Sequence, residues 1–580
     1  MQNNLFSVVP LRRLPKKLSL LDYQFSKKGQ NPDIGEVVEI PFGKQAIRGV
    51  VWNILKKETI DLKKIKYLSK QKNFEKLSRF QILLSNWLAE NTLTPISQVL
   101  LGITPDIKAS EYSLNPSKIQ AKLFIAQNLH EREKLIKIWL KKVKKENYPS
   151  LVVIPAYQYA ETWLKNFPEN SIFIHSKLSK KEKLNALQKI HKVKLIIVTH
   201  SGLLYPLPRL ARVIIDQADD DGYFAFDQAP RLDVRKLAQA VAYIQGVNLT
   251  LLARWQSPTI LSFNPVLKFR KISENLKPII IDRNLESFEE KKVYINQSVL
   301  DRVANGKNFW LVFRKEEARL LICDDCKLPV FCPKCKNPLT PSTGCNGDKL
   351  LKCKIDNLTV LPPEICPNCH GSNLKLKGLG IQKISQILKN IIKDGNILIF
   401  EKNSKAIALD NIKNIVGTSA ITRYLNVKFD NLIILNPETA RNNSEYRNEE
   451  SIINSIISVA QHLKPKNSFF IQTYEKENSI ANSLVNLDET ANRISKERKN
   501  FNYPPFGTLI SLKTNSRNNI AKIPLSSYVR KQISQKFNLI ENPGNFLIKG
   551  PLNDFDWILK ILNENLPEDY MVKVNPPSIS

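Results

Sequence analysis

All eight cysteines of this 580-residue chain fall between positions 323 and 369. They read as three Cys-x2-Cys knuckles, Cys323/Cys326, Cys332/Cys335 and Cys366/Cys369, with single Cys345 and Cys353 between the second and the third. A knuckle of this spacing sets two thiolates on one tetrahedral ion at ~2.3 Å. Three knuckles so close together call for a small metal-held module, and nothing in the sequence points to secretion, where disulfides persist. Three knuckles and two single cysteines make two four-coordinate zinc sites. The simplest pairing joins the outer knuckles, Cys323, Cys326, Cys366 and Cys369. The inner site then holds Cys332, Cys335 and Cys353, with Cys345 as fourth ligand; Asp356 is an alternative fourth ligand, and His370 a substitute for a neighbour. Four protein ligands close each site, which assigns both zinc ions to structure.

A module of that size leaves most of the chain to fold by other means. A single core stops growing near ~250–300 residues, so several domains are expected. With 42% hydrophobic residues the chain cannot be a disordered basic tail. The start, MQNNLFSVVPLRRLPKK, lacks the apolar run of a signal peptide, and no stretch of about 18 apolar residues could span a bilayer, so the expected location is the cytoplasm, with no membrane partner. Against 54 Asp+Glu stand 87 Lys+Arg, a formal charge of +33. Clustered cations release counterions from phosphates, which points to nucleic acid. The competing account is lysine-rich usage spread over every solvated face, as in KKVKK at 141–145. Glycine pulls the other way: 19 residues are present, where ordinary usage gives roughly 40. Phosphate-cradling loops need glycine for close backbone approach, so a nucleotide enzyme this poor in it would be unusual.

Periodicity sets out the domains. Residues 1–104 open with short alternating segments, VVEIPFG and IRGVVWNI, followed by the helical pattern FQILLSNWLAENTLT. From 110 to 265 the apolar runs SLVVIPA, SIFIH, KLIIVTHS, RVIIDQAD and LTLLA alternate with helical stretches, the mark of a parallel sheet. A second α/β segment, 266–480, carries KNFWLVF, NILIF, NIVGTS, NLIIL and SFFIQTY, with the cysteine module inserted at 320–376. Residues 481–580 read as a small mixed α+β domain.

These segments, in this order, resemble the primosomal protein N′ family, the PriA replication-restart helicases. LDYQF followed by IPFGKQAIRGVV is similar to the family's domain for the 3′ end of a DNA strand. IHSKLSKKEKL resembles its HS-x-LS segment, and VTHSGLLYPLPRLARVIIDQADDDGYFAFDQAPRLDVRKLA follows its motif II region. FFIQTY and RISKERKNFNYPPFGTLI are similar to its closing signature. The resemblance implies an α/β multidomain protein with two RecA-like helicase lobes, a β-rich N-terminal DNA-binding domain, an inserted two-zinc cysteine module and a small C-terminal domain. It implies DNA forks, 3′ ends and single strands as ligands, replication or primosome proteins as partners, and a monomer.

The departures from the family fall on its motor. The phosphate loop GxTGSGKT would lie between Leu123 and Leu135, where AQNLHEREKL has no glycine. Arg132 and Glu133 take the places of the catalytic lysine and the Mg²⁺-binding hydroxyl, and no nest of backbone N–H groups can form. The DEEH box reads Asp216-Gln217-Ala218-Asp219, keeping the metal-orienting Asp216 and losing the carboxylate that activates water. The arginine-finger box reads SVAQHLKP at 458–465 and the SAT box ARWQSPT. A finger is worth about 10³–10⁵ in rate. No catalytic residue is therefore expected, Asp216 and Arg132 being remnants, and ATP and Mg²⁺ are not expected as cofactors. The family's winged-helix segment is replaced by roughly a dozen residues, 104 to 116.

In the front domain Asp22, Gly43 and Lys66 match the family's pocket for a terminal 3′ nucleotide. Asp22 can accept a hydrogen bond from a 3′-OH, Gly43 admits close backbone approach and Lys66 can meet a phosphate; the alternative makes Asp22 a turn residue and PFG a hairpin bend. Tyr23 is either core or a stacking platform. Tyr223 and Phe224 match the family's aromatic-rich loop, or else pack between lobes. Arg231 and Arg235 either contact phosphate or pair with Asp227 and Asp233. Three functions stay open: a PriA-like binder of forked or 3′-ended DNA that serves replication restart and primosome assembly without unwinding, an active 3′-5′ helicase with a divergent ATP site, and a zinc-stabilised interaction scaffold.

Overall fold

The structure, a computed structural model, describes residues 5–14, 18–25, 32–55, 66–68, 76–103, 112, 114, 116–117, 119–271, 277–285, 295–304, 306–313, 320–326, 330–334, 339–343, 349–353, 358–377, 381–391, 397–400, 412–423, 427–435, 437–440, 445–473, 480–514, 525–542, 545–566 and 570–578.

The alternating front segments form β1 (Leu5–Pro10), β2 (Leu21–Phe25), β3 (Val37–Phe42), β4 (Gln45–Leu55) and β5 (Lys66–Leu68), in sheet order β3-β4-β1-β2-β5. Helix Arg79–Thr92 follows, started by a capping box in which Ser78 and Gln81 satisfy each other's backbone N–H groups. Its inner face, Phe80, Leu84 and Leu88, joins a core that is continuous with the next domain.

There the apolar runs become β6 (Lys122–Ala126), β7 (Ser150–Val153), β8 (Ser171–Ile174), β9 (Leu195–Val198), β10 (Arg212–Asp216), the short hairpin β11 (Phe224–Ala225) and β12 (Leu232–Asp233), β13 (Asn248–Ala253) and β14 (Val266–Lys271). The main sheet has the order β14-β6-β13-β10-β7-β9-β8 and every pairing in it is parallel. Successive residues of a strand serve opposite cores, Ile196 one and Ile197 the other, which is why these strands read as unbroken apolar runs. Because β14 pairs with β6, the first lobe extends through residue 271, beyond the boundary expected at 265.

The second lobe is built from β15 (Ile279–Asp282), β16 (Asn308–Leu311), β22 (Ile397–Phe400), β23 (Asn414–Gly417), β24 (Phe429–Leu435) and β25 (Leu463–Thr473), all parallel, in the order β15-β25-β24-β16-β23-β22. Inserted between β16 and β22 is the cysteine module, with the antiparallel pair β17 (Leu320–Cys323) and β21 (Leu374–Lys377) and a small sheet of β18 (Thr340–Thr343), β19 (Lys349–Lys352) and β20 (Thr359–Val360). Helices Ile480–Val485 and Leu487–Asn500 give Ile480, Ala481, Leu484 and Ala491 to the second lobe's core, so the C-terminal domain's own core begins later than 481. That domain runs β26 (Gly507–Thr514), helix, β27 (Asn538–Asn542), β28 (Asn545–Pro551), helix, β29 (Tyr570–Val574). Its antiparallel order, β27-β28-β26-β29, is the ferredoxin-like arrangement. Among the described residues no helix is long and apolar enough to cross a membrane.

Candidate functional site

The turn after β6 leads straight into helix Leu129–Lys145. Asn128 caps that helix, its side chain accepting from the Glu131 N–H at 2.8 Å, and Glu131 lies in the first turn. A helix N-terminus is an anion site only while its N–H groups are free; here a side-chain oxygen takes one of them and a carboxylate stands beside it. Arg132, one turn in, points down onto the end of β10. Its Nε donates to Asp216 Oδ1 at 3.0 Å, Nη2 pairs with Oδ2, and Nη1 donates to Thr162 Oγ1 at 3.2 Å. Trp163 Nε1 donates to Asp216 Oδ2 at 2.8 Å. Arg132 is 2% exposed and Asp216 0%. Glu133 turns outward to Lys137 at 2.9 Å, a hydrogen bond that lowers its carboxyl pKa. Arg132, and not Glu133, fills the ground between this helix and the Asp216 carboxylate.

The remains of the other boxes pair with one another. Gln217, in the left-handed region at φ 52°, donates from Nε2 to Gln461 Oε1 at 3.3 Å, joining the DEEH remnant to the arginine-finger remnant of the second lobe. Asp219 accepts from the Arg254 N–H at 2.9 Å and from its Nε at 2.7 Å, both residues being buried. His462 is buried with Nδ1 2.8 Å from the Val427 carbonyl, and burial foremost pushes its pKa down to about 4. The sequence reading missed Trp163, Arg254, Trp255, Arg447 and Asn454; the one signal available was ARWQSPT in the SAT position, where an arginine and a tryptophan imply new partners.

In the aromatic loop Tyr223 is buried, its hydroxyl 2.8 Å from the Val153 carbonyl and 2.5 Å from that of Asp216. Phe224 lies between two guanidinium groups, Arg235 at 4.5 Å and Arg447 at 4.1 Å from its ring centre. Tyr223 packs in the first lobe's core, and Phe224, under Arg447, is the one of the two that meets the second lobe. Arg235 is fully buried, with Nε on Asp233 at 2.8 Å and Nη1 on the Ala218 carbonyl at 2.8 Å. Of its two readings the Asp233 pair is the one formed, and burial leaves it no surface for a phosphate. Arg231 is only half-buried. It stands near Lys573 of the C-terminal sheet; burial first, and then repulsion by Lys513 and Arg231, hold the Lys573 ammonium below its usual range.

At the front, Asp22 is exposed on β2 and accepts from Ser7 Oγ at 2.6 Å. It is a strand residue, not the start of a turn. Gly43 forms the bend between β3 and β4 with φ +61°, and a Cβ there would meet nothing within 4 Å. The conformation asks for glycine and the surrounding space is open. Lys66 lies on β5 at the register position of Tyr23. Tyr23 itself is core, 4% exposed among Phe6, Val8 and Ile40, with its hydroxyl donating to the Pro41 carbonyl at 3.2 Å.

In the cysteine module the β17–β21 pair brings the outer knuckles together. The four sulfurs of Cys323, Cys326, Cys366 and Cys369 all lie within 4.8 Å of one another, with Cys323–Cys369 at 3.6 Å and Cys326–Cys366 at 3.7 Å. Bonds of ~2.3 Å on a tetrahedral ion give sulfur–sulfur edges of about 3.8 Å. The group therefore fits a tetrahedral metal ion and is compatible with zinc. His370 is exposed and is not among these four ligands. Cys332 and Cys353 are both buried and share one apolar cluster with Val330, Leu339 and Leu351. Cys335, Cys345 and Asp356 lie outside the described residues.

Two all-parallel sheets, a cysteine-knuckle insertion in the second and a β-rich domain at the front define a helicase-like protein with two RecA-like lobes. Residues 9–105 match the model of the PriA 3′DNA-binding domain (3′BD). The replication restart protein PriA of Synechocystis is 23% identical over 74% of this chain, an alignment that spans only 58% of that relative. PriA of Helicobacter pylori J99 is 23% identical over 83% of each chain. Among solved structures, Saccharomyces cerevisiae Dbp5 bound to RNA overlaps with a TM-score of 0.35 at 9% identity, covering 72% of this chain and 98% of that one; an overlap this loose adds nothing to the strand order. The chain is thus similar to PriA replication restart proteins over most of its length, and residues 9–105 match their 3′DNA-binding domain.

Proposed function

We propose that this protein binds forked and 3′-ended DNA in replication restart and primosome assembly, and that it does so without ATP-driven unwinding. The observation that carries the second half is the buried Arg132–Asp216 pair. An arginine already holds the carboxylate that a Mg²⁺-nucleotide would need, and the glycine-free turn before it offers no cradle for phosphates. The first half is supported by the match of residues 9–105 to the 3′DNA-binding domain and by Asp22, exposed and oriented by Ser7, as acceptor for a terminal 3′-OH. Gly43, Lys66 and Arg231 are the other residues assigned to DNA in this reading, while Arg235 is structural. Two zinc ions hold the cysteine module, one on Cys323, Cys326, Cys366 and Cys369, the other on Cys332, Cys335, Cys353 and Cys345. Replication proteins are the expected partners.

The test is a pair of titrations on the full chain. Binding of a fork with a 3′-OH leading end should be tight and salt-sensitive, and Mg²⁺-ATP should neither bind at millimolar concentration nor change fork affinity. Fork-stimulated ATP hydrolysis that disappears in Asp216→Ala would replace this reading with that of an active helicase. No preference for the fork over plain duplex at moderate salt would replace it with that of a protein scaffold.

A further inference from the structure

The strongest feature that the proposed function leaves unused is the seam between the lobes. Trp255 follows β13 of the first lobe by two residues, yet it is 1% exposed and sits in the second lobe's core with Phe309, Leu311 and Ile456. Its Nε1 donates to Asn454 Oδ1 at 2.7 Å, and Asn454 Nδ2 donates back to Asp221 Oδ1 of the first lobe at 3.1 Å. The same carboxylate oxygen accepts from Arg447 Nη2 at 3.0 Å, and Glu450 Oε1 accepts from the Thr259 N–H at 3.1 Å. All three hydrogen-bonding residues of the second lobe named here, Arg447, Glu450 and Asn454, lie on helix Asn448–Ala460 or immediately before it.

We propose that Trp255 is a keystone: it anchors helix Asn448–Ala460 to the first lobe and fixes the two lobes in one arrangement that does not depend on nucleotide. The inference extends the nucleotide-free reading of the cleft and rests on it only for the last clause. The physical reason is twofold. Parting the lobes would expose an indole that now lies in an apolar core. It would also take the Trp255 donor from buried Asn454 and both the Asn454 and Arg447 donors from Asp221, and an unsatisfied buried polar group is costly; Glu450 would lose the Thr259 N–H and keep Arg498. A two-lobed motor needs a seam that opens and closes; this seam is built like a domain interior. DNA bound across both lobes would therefore meet a preformed surface.

Hydrogen exchange on the full-length, zinc-loaded protein tests this. The amides of Arg254 and Thr259, which donate to Asp219 and Glu450 across 2.9 and 3.1 Å, should exchange slowly, with or without Mg²⁺-ATP. In Trp255→Ala, segments 254–261 and 447–461 should exchange at least about tenfold faster while β10 and β24 keep their protection, the signature of local opening. If that variant unfolds altogether, Asn454→Ala decides, since it removes the indole's acceptor and leaves the ring in place; it too should speed exchange in both segments. A wild-type seam that exchanges like a surface loop, an Asn454→Ala seam as slow as wild type, or a seam that opens on adding ATP would each overturn the keystone. ATP hydrolysis with the seam unchanged would overturn the nucleotide-free reading alone.

Discussion

Arg132 and Asp216, 84 residues apart in sequence, meet as a forked ion pair with both side chains shut away from solvent. Forked Arg–carboxylate pairs are the strongest and most directional that side chains form. This one joins the helix that follows the first strand of the lobe to the end of β10, closing the space between them.

Cutting that pair on one side should be severe. Arg132→Met leaves the Asp216 carboxylate buried with Trp163 as a donor, and the first lobe should lose about 3–5 kcal/mol, read as a lower denaturant midpoint. Replacing both partners, as in Arg132→Met with Asp216→Leu, should recover most of the loss. If the single and double variants unfold alike, the pair is not what holds this corner.

Metal content gives a second check. Elemental analysis of the purified chain should find about two zinc ions, and Cys366→Ser should lose one. Stripping with a strong chelator should loosen the module while leaving the parallel sheets folded. A folded protein without metal would contradict the assignment.

Stability should also fall in mild acid. His462 has its pKa pushed down to about 4, burial being the chief cause, with Arg254 and Lys428 adding repulsion. The unfolded chain binds this proton from near the ordinary imidazole value of about 6.5, the folded chain only much lower. The neutral ring's contribution is therefore complete above pH ~6.5 and drains away between there and about pH 4, by roughly 3 kcal/mol at most. Denaturant midpoints compared at pH 7.5 and 5 should show a smaller drop for His462→Gln than for wild type.

Recognition of a strand end should depend on Asp22. Losing a charged acceptor for the 3′-OH costs about 1.5–3 kcal/mol, so Asp22→Ala should weaken binding of a 3′-OH fork about tenfold or more and leave a 3′-phosphate fork nearly unchanged. Ser7→Ala, which frees the carboxylate to turn, should give a milder version of the same change. Equal losses on both forks would remove Asp22 from the pocket.

The two arginines after the aromatic loop should behave differently. Arg231→Ala should weaken DNA binding evenly across sequences and reduce the salt slope by about 1. Arg235→Ala should lower stability through its lost contacts to Asp233 and Ala218 and leave the salt slope alone, because its guanidinium is buried.

Much of this architecture was legible in the chain. Runs such as LIIV and RVIID announce strands buried on both faces, and parallel sheets follow from the helical stretches between them. Cys-x2-Cys knuckles announce their own partners, because the spacing is local. The lobe boundary was missed because VLKFRK, a polar-looking edge strand, pairs only once, with β6, and lacks the run of apolar residues that marks the others. Arg235 was readable as a DNA contact because nothing local distinguishes an arginine that faces solvent from one folded over Phe224.

What the sequence determined by itself is local: the turn after the first lobe's first strand carries no glycine, and two sets of apolar strands must bury themselves as two sheets. Which side chains meet around that turn was decided only by tertiary structure. Arg132 finds Asp216, Gln217 finds Gln461, and Trp255 crosses into the second core through contacts separated by 84, 244 and, to Asn454, 199 residues. Spacing and periodicity reach one turn or one strand. Which buried donor meets which buried acceptor is settled by packing, where an unpaired group is costly and any nearby partner of the right shape will serve.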